Sequence, residues 1–114
     1  MAHYLVRAQI RPDRLDQLAE QLESDAFLDL EPFGRALTAG LIGARIEEPG
    51  VAVWEEEDYC SPPLAQECDA VLDRYFDGIE VEPVAPGEGW RRVADLPLLF
   101  PDLPAPDGRE ERSR

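Results

Sequence analysis

"RALTAGLIGARIEEPGVAVWEEEDY", residues 35–59, decides the fold. Its Thr, Ile, Leu and Val content, with Gly40 and Gly43 inside, favours strand. A helix over residues 35–46 is the alternative, but two internal glycines would cost it roughly 1 kcal/mol each relative to Ala. "EEPG", residues 47–50, then reads as a turn between a strand over residues 35–47 and a second over Val51–Asp58.

Working outward, "HYLVRAQI" alternates, with Tyr4, Val6, Ala8 and Ile10 on one side and His3, Leu5, Arg7 and Gln9 on the other. Pro12 suits the first position of a helix over residues 12–24, where its missing N–H costs nothing. Leu15, Leu18, Ala19 and Leu22 form the apolar stripe of that helix, and Asp13 suits its positive end. "DAFLDLEPFG" is a less regular connection ended by Pro32 and Gly34.

Beyond Asp58, Ser61 is a natural N-cap and Pro62 a first helical residue. Leu64, Ala65, Cys68, Val71, Leu72, Tyr75 and Phe76 trace an apolar face, and Gly78 reads as the helix stop. "IEVEPV" is a fourth strand, with Ile79 and Val81 opposed to Glu80 and Glu82. Residues 85–100 form an apolar C-terminal extension containing Trp90, Val93, Leu96, Leu98, Leu99 and Phe100. These side chains are too apolar to hang in water, so they pack on the domain or swap onto a partner subunit; binding a peptide is the sharper alternative. Residues 101–114, rich in Pro and charge, read as a disordered tail.

The order strand, helix, strand, strand, helix, strand defines one α+β domain over residues 1–100. Two helices on one face of a four-stranded antiparallel sheet give a ferredoxin-like βαββαβ arrangement with the first and third strands central. Leu5 then points to an uncovered face, which predicts a homodimer through that sheet face.

"GRALTAG", residues 34–40, following a first helix, and "IEVEPV" as a closing strand are similar to the YCII-related proteins of the dimeric α+β barrel superfamily. The resemblance extends over residues 3–84. It implies a sheet face that meets a partner's sheet, enclosing a pocket in each subunit. Superfamily members include cofactor-free monooxygenases, lactone isomerases and many proteins of unknown activity. The YCII-related pattern carries a His on or near the first helix, paired with an Asp. Here the one histidine is His3, and the helix offers Asp16 without an imidazole, so no residue takes that His role.

The charge balance narrows the partners. Twenty-five acidic residues face 11 Arg and no Lys, a formal net charge of -14. Such a chain repels phosphate backbones and anionic lipid, which argues against nucleic acid and membrane partners. A basic partner or cationic ligand is compatible; solubility is the plainer reading. The first residues lack the apolar run of a signal peptide, and no later run could span a bilayer, so a soluble cytoplasmic protein is expected. Two cysteines fit that compartment.

The acidic run Glu55, Glu56, Glu57, Asp58 is the densest concentration of chemistry. In a strand Glu55 and Glu57 share one side, Glu56 and Asp58 the other. Four carboxylates therefore cannot converge on one ion, and a solvated strand end is expected rather than a metal site. Glu55 with Glu57, or Glu80 with Glu82, could do acid/base work on the uncovered face, with Arg7 as counter-charge. The facing of the third strand stays open: Val51 and Val53 argue one way, Trp54 the other. His3 could serve as a general base but reads first as a surface residue without a partner. Tyr59 and Tyr75 could donate protons but read first as packing residues.

Cys60 and Cys68 lie too far apart along a helix for a disulfide. Acidic neighbours oppose activation of the Cys60 thiol. There is no phosphate loop, nucleophile elbow or zinc spacing. A small non-catalytic binding module, without metal or cofactor and with room for a small-molecule ligand, is the preferred expectation. The alternative is a cofactor-independent isomerase or monooxygenase-like enzyme acting on a small polar or cyclic organic molecule through Arg7, Glu55, Glu57 and Tyr59.

Overall fold

Alternation in the first residues builds β1 (Ala2–Ile10), which places Val6 and Ala8 in the main core and Leu5 on the opposite side. The computed structural model describes residues 2–58 and 64–103. Pro12 opens a short 3-10 turn that runs into α1 (Leu15–Glu23), where Leu18 and Leu22 are buried as their spacing predicts.

Residues 35–47 are not one strand. Gly34–Ile42 forms a helix, α2, and only Arg45–Glu48 forms β2, which turns into β3 (Val51–Asp58). The glycines that argued against a helix are its contact points. A Cβ on Gly40 would sit 2.7 Å from Trp54 Cδ1, and one on Gly43 3.0 Å from Trp90 Cη2. Close approach lets α2 bury Leu37 and Leu41 completely beside Trp54. Roughly 1.5–3 kcal/mol per large buried side chain outweighs the glycine penalty.

The second helical stretch is also shorter than its apolar pattern suggests. α3 (Ala65–Ala70) is followed by a 3-10 turn at Leu72–Arg74, and β4 (Phe76–Val84) begins before Gly78. Gly78 therefore does not stop a helix. With φ +58° it lies within β4, near where the pairing with β1 shifts register between Arg7 and Gln9. Phe76 is drawn into the core, its ring 5.3 Å from that of Trp54. The Ser61 cap, Pro62, Cys60 and Tyr59 fall outside the described residues, as does the tail from residue 104.

All strand pairs are antiparallel and the order is β2-β3-β1-β4, with β1 and β3 in the middle. The architecture is α+β with a four-stranded open sheet, compatible with a ferredoxin-like arrangement. Ala52 and Trp54 join the main core with Val6, Ala8 and side chains of α1, α2 and α3. Val53 faces the other way, so both sequence arguments about β3 hold, each for its own face.

That other face is not bare. Helix α4 (Glu88–Arg92) and the residues after it lie across it, and Leu5, Val53 and Val93 form a second buried cluster flanked by Val84, Trp90 and Leu96. There are thus four helices among the described residues, one of them on the side expected to be open. The premise for a sheet-face homodimer fails where Leu5 and Val53 lie, because the chain covers them itself. The extension also seals one sheet edge. Ile46 N–H donates to Pro97 O at 2.8 Å, Leu99 N–H donates to Ala44 O at 2.9 Å, and the Arg45 guanidinium donates to the carbonyls of Ala94 and Leu96. No helix among the described residues is long and apolar enough to cross a membrane.

Candidate functional site

The acidic end of β3 is buried, not solvated. Glu55, Glu56 and Asp58 are 5%, 2% and 3% exposed, and the strand's alternation sends them to opposite faces. Each must therefore find donors or keep a proton, since a bare buried carboxylate is costly.

On the α4 face, Glu55 sits opposite Leu5 in the β1–β3 register. Its Oε2 accepts the Gly87 N–H at 2.8 Å and its Oε1 the Trp90 N–H at 3.1 Å. These amides open α4, so the carboxylate serves as that helix's cap from another element. His3 Nδ1 lies 3.1 Å from Glu55 Oε2, and its Nε2 lies 3.9 Å from Glu57 Oε2. With Nδ1 donating to Glu55, Nε2 is left as the acceptor, the arrangement a general base requires. The sequence reading of His3 as partnerless is corrected by the register: 52 residues separate it from Glu55 along the chain.

On the helix face, Glu56, Asp58 and Glu67 gather behind Trp54. The Trp54 indole Nε1–H donates to Glu56 Oε1 at 2.9 Å, and the Leu64 N–H donates to Asp58 Oδ2 at 2.6 Å. Glu67, completely buried on α3, is within hydrogen-bonding reach of Glu56. Burial pushes the Glu56 carboxyl well above the usual carboxylate range, and Glu67 and Asp58 add to this against the opposing Trp54 bond. Burial likewise raises Glu67 to about 7. Cys68, next on α3, has its thiol pushed up to about 11 by burial and by Asp73 and Glu67, so it holds no reactive thiolate near neutrality. Among the described residues no group of three or more His, Cys, Asp and Glu is placed to hold a metal ion.

Arg7 does meet carboxylates, though only Glu82 among those expected. Its Nε donates to Glu47 Oε1 at 2.7 Å, and its Nη1 lies 3.5 Å from Glu82 Oε1. Arg92 reaches the same Glu82 at 2.9 Å. The hydrogen bond from Arg92, and then that from Arg7, holds the Glu82 carboxyl below its usual range. These groups are about one-third exposed or more, which makes the network a surface one. Arg7→Ala is expected to cost less than about 1 kcal/mol in a urea titration, and the cost should shrink further in high salt. A loss several times larger would mark Arg7 as a structural anchor.

Neither the family models, nor the curated proteins, nor the solved structures contain a match to this chain. The resemblance carried by residues 34–40 and 79–84 is without support from them, and the chain's own geometry carries the functional reading.

That geometry regroups the sequence candidates. Glu55 and Glu57 share a face as expected but converge on His3, while Arg7 stands apart with Glu47 and Glu82. Tyr59 lies outside the described residues. Glu56, Asp58 and Glu67 were missed as a cluster. The period-2 spacing of Glu56 and Asp58 with Trp54 was the available signal, since a large aromatic marks the buried side of a strand. A groove of about 290 Å³ runs between α1 and residues 99–103, with Leu15, Ala19 and Phe100 among its apolar lining and Asp16, Glu23 and Asp102 among its acids.

Proposed function

We propose that the protein is a small, non-catalytic binding module that receives an extended, cationic segment of a partner protein along β4. The free edge of the sheet carries this reading. β2's outer edge is taken up by residues 97–99, whereas among the described residues nothing pairs with the outer side of β4. An unpaired strand edge presents a row of N–H and C=O groups ready for another strand.

The side chains specify what fits. Val81 is 36% exposed on the helix face, and Glu80 and Glu82 stand on the other. An added strand alternating apolar and cationic residues would match both. A second copy of β4 would instead bring glutamates against glutamates, a destabilising arrangement. The net charge of -14 biases encounter the same way. The usable edge is short, bounded by the bulge near Gly78 and by Pro83, which has no N–H to offer, so the affinity should be modest.

Titrating the labelled protein with a peptide of alternating Lys and Val tests this by amide chemical shifts. Shifts should concentrate on residues 79–84, vanish with a Glu/Val peptide, and weaken about tenfold with Glu80→Lys. Shifts elsewhere, none at all, or a sedimenting dimer paired through β4 would overturn the cationic-strand reading.

The His3–Glu55 pair favours a second reading, a cofactor-independent enzyme acting on a small polar or cyclic molecule. In it His3 Nε2 is the base, and Glu55 orients the ring while holding α4.

A further inference from the structure

Three carboxyl groups, those of Glu56, Asp58 and Glu67, meet on the helix face. Glu56 Oε1 has the Trp54 indole, but Glu56 Oε2 is buried with no hydrogen-bond donor directed at it among the described residues. The charges acting on Glu56 are those of Glu67 on α3 and Asp58 on its own strand. Cys68 on α3, Asp73 in the following 3-10 turn and Tyr4, opposite Glu56 on β1, bring no positive charge. The ion pairs of His3, Arg7, Arg11, Arg14 and Arg92 use other carboxylates. A buried oxygen beside other carboxyls, lacking a donor, is satisfied when it carries a proton itself and donates it to a neighbour.

We infer that Glu56 and Glu67 form a proton-sharing latch that holds α3 against the sheet at acidic to neutral pH and releases it as the pair ionises. When Glu56 Oε2 is protonated it donates to the Glu67 carboxyl while Oε1 keeps its bond from Trp54. As protons leave for solvent, negative charge builds beside Asp58 in a site sealed from water, and the cheapest relief is for α3 to swing out. That motion uncovers Leu64, Val71 and Leu72, which are buried in the closed form.

The direction follows from the raised affinity for protons. In the unfolded or opened chain Glu67 titrates near 4.5, and in the closed form near 7. The latch's contribution is therefore complete below about pH 4.5 and is lost as pH rises through about 7. The two carboxyls titrate as a coupled unit.

Hydrogen exchange on the intact chain at about pH 5.5 and about pH 8.5, normalised for intrinsic rates, tests the latch. The Cys68 and Val71 amides, which donate to Leu64 O and Glu67 O, should lose more than about tenfold in protection at the higher pH. Glu67→Gln, which keeps the shape and cannot ionise, should flatten that dependence. An infrared carbonyl band of a protonated carboxyl that persists at neutral pH and fades in alkali should accompany it in the unmodified protein, whether or not the variant folds. Unchanged protection across the pH range, the same pH dependence in Glu67→Gln, or no such band would overturn the inference.

Discussion

In a Glu55→Ala variant the segment running from Gly87 through Val93 is expected to lift off the sheet, at a cost of about 2–4 kcal/mol in global stability. The carboxylate holds two backbone N–H groups at the start of α4 and one nitrogen of His3, all from a position 5% exposed. Removing it strands both amides and deletes the negative charge that favours a helix N-terminus, each a separate loss. A helix of five residues has almost no stability of its own, so it cannot stay formed without the anchor. What it uncovers is apolar: Leu5 and Val53, at 1% and 0% exposure. Denaturant titration should show the loss, and a hydrophobic dye should bind the variant while ignoring the parent. The newly bare face should also make the variant self-associate in sedimentation, the behaviour expected of an uncovered sheet. A stability within about 0.5 kcal/mol of the parent, with no dye binding, would mean α4 is held by something other than Glu55.

Gly40→Ala sets two effects of opposite sign against each other. Ala is the better helix former by roughly 1 kcal/mol, so propensity alone says the change stabilises α2. Its Cβ, however, would stand 2.7 Å from Trp54 Cδ1 and 3.2 Å from Glu55 O. Trp54 is fully buried, packs against Phe76 and is tethered through its indole to Glu56, so it cannot swing aside cheaply. Glu55 O is backbone and cannot yield at all without moving β3. Overpacking of this kind costs about 1–3 kcal/mol, and strain passed on to the buried carboxyls adds to it. A net destabilisation of about 1–2 kcal/mol is expected by thermal or chemical denaturation, together with a shift in Trp fluorescence. A net gain would show that α2 sits on the sheet more loosely than its glycine contacts imply.

Both variants touch places where local sequence and final structure part company. The period-2 pattern of residues 3–10 and the spacing of Leu15, Leu18 and Leu22 were sufficient for β1 and α1, because one buried face writes its own periodicity into the chain. α2 was hidden by Gly40 and Gly43, residues that look like breakers until the indoles they receive are known. α3 was overextended because Tyr75 and Phe76, which continue a helical apolar face on paper, reach the core from the end of the 3-10 turn and from the first residue of β4 instead. α4 has too few residues to show any helical period. At the site, alternation correctly split the acidic run between two faces. It could not say what stood on each, since the partners come from Gly87, Trp90, His3 and Glu67, whose positions depend on register and on two unrecognised helix geometries.

The placement of β1 inside the sheet bears on how the chain matures at the ribosome. When β1 emerges, both of its neighbours, β3 and β4, are still to be synthesised, and the covering side chain of Val93 arrives later again. Until then Leu5 has no shelter, a sticky interval that no early local contact can shorten. A nascent-chain holdase, or slow handover from one, is therefore most valuable to this protein over the stretch of translation between β1 and the closing of α4.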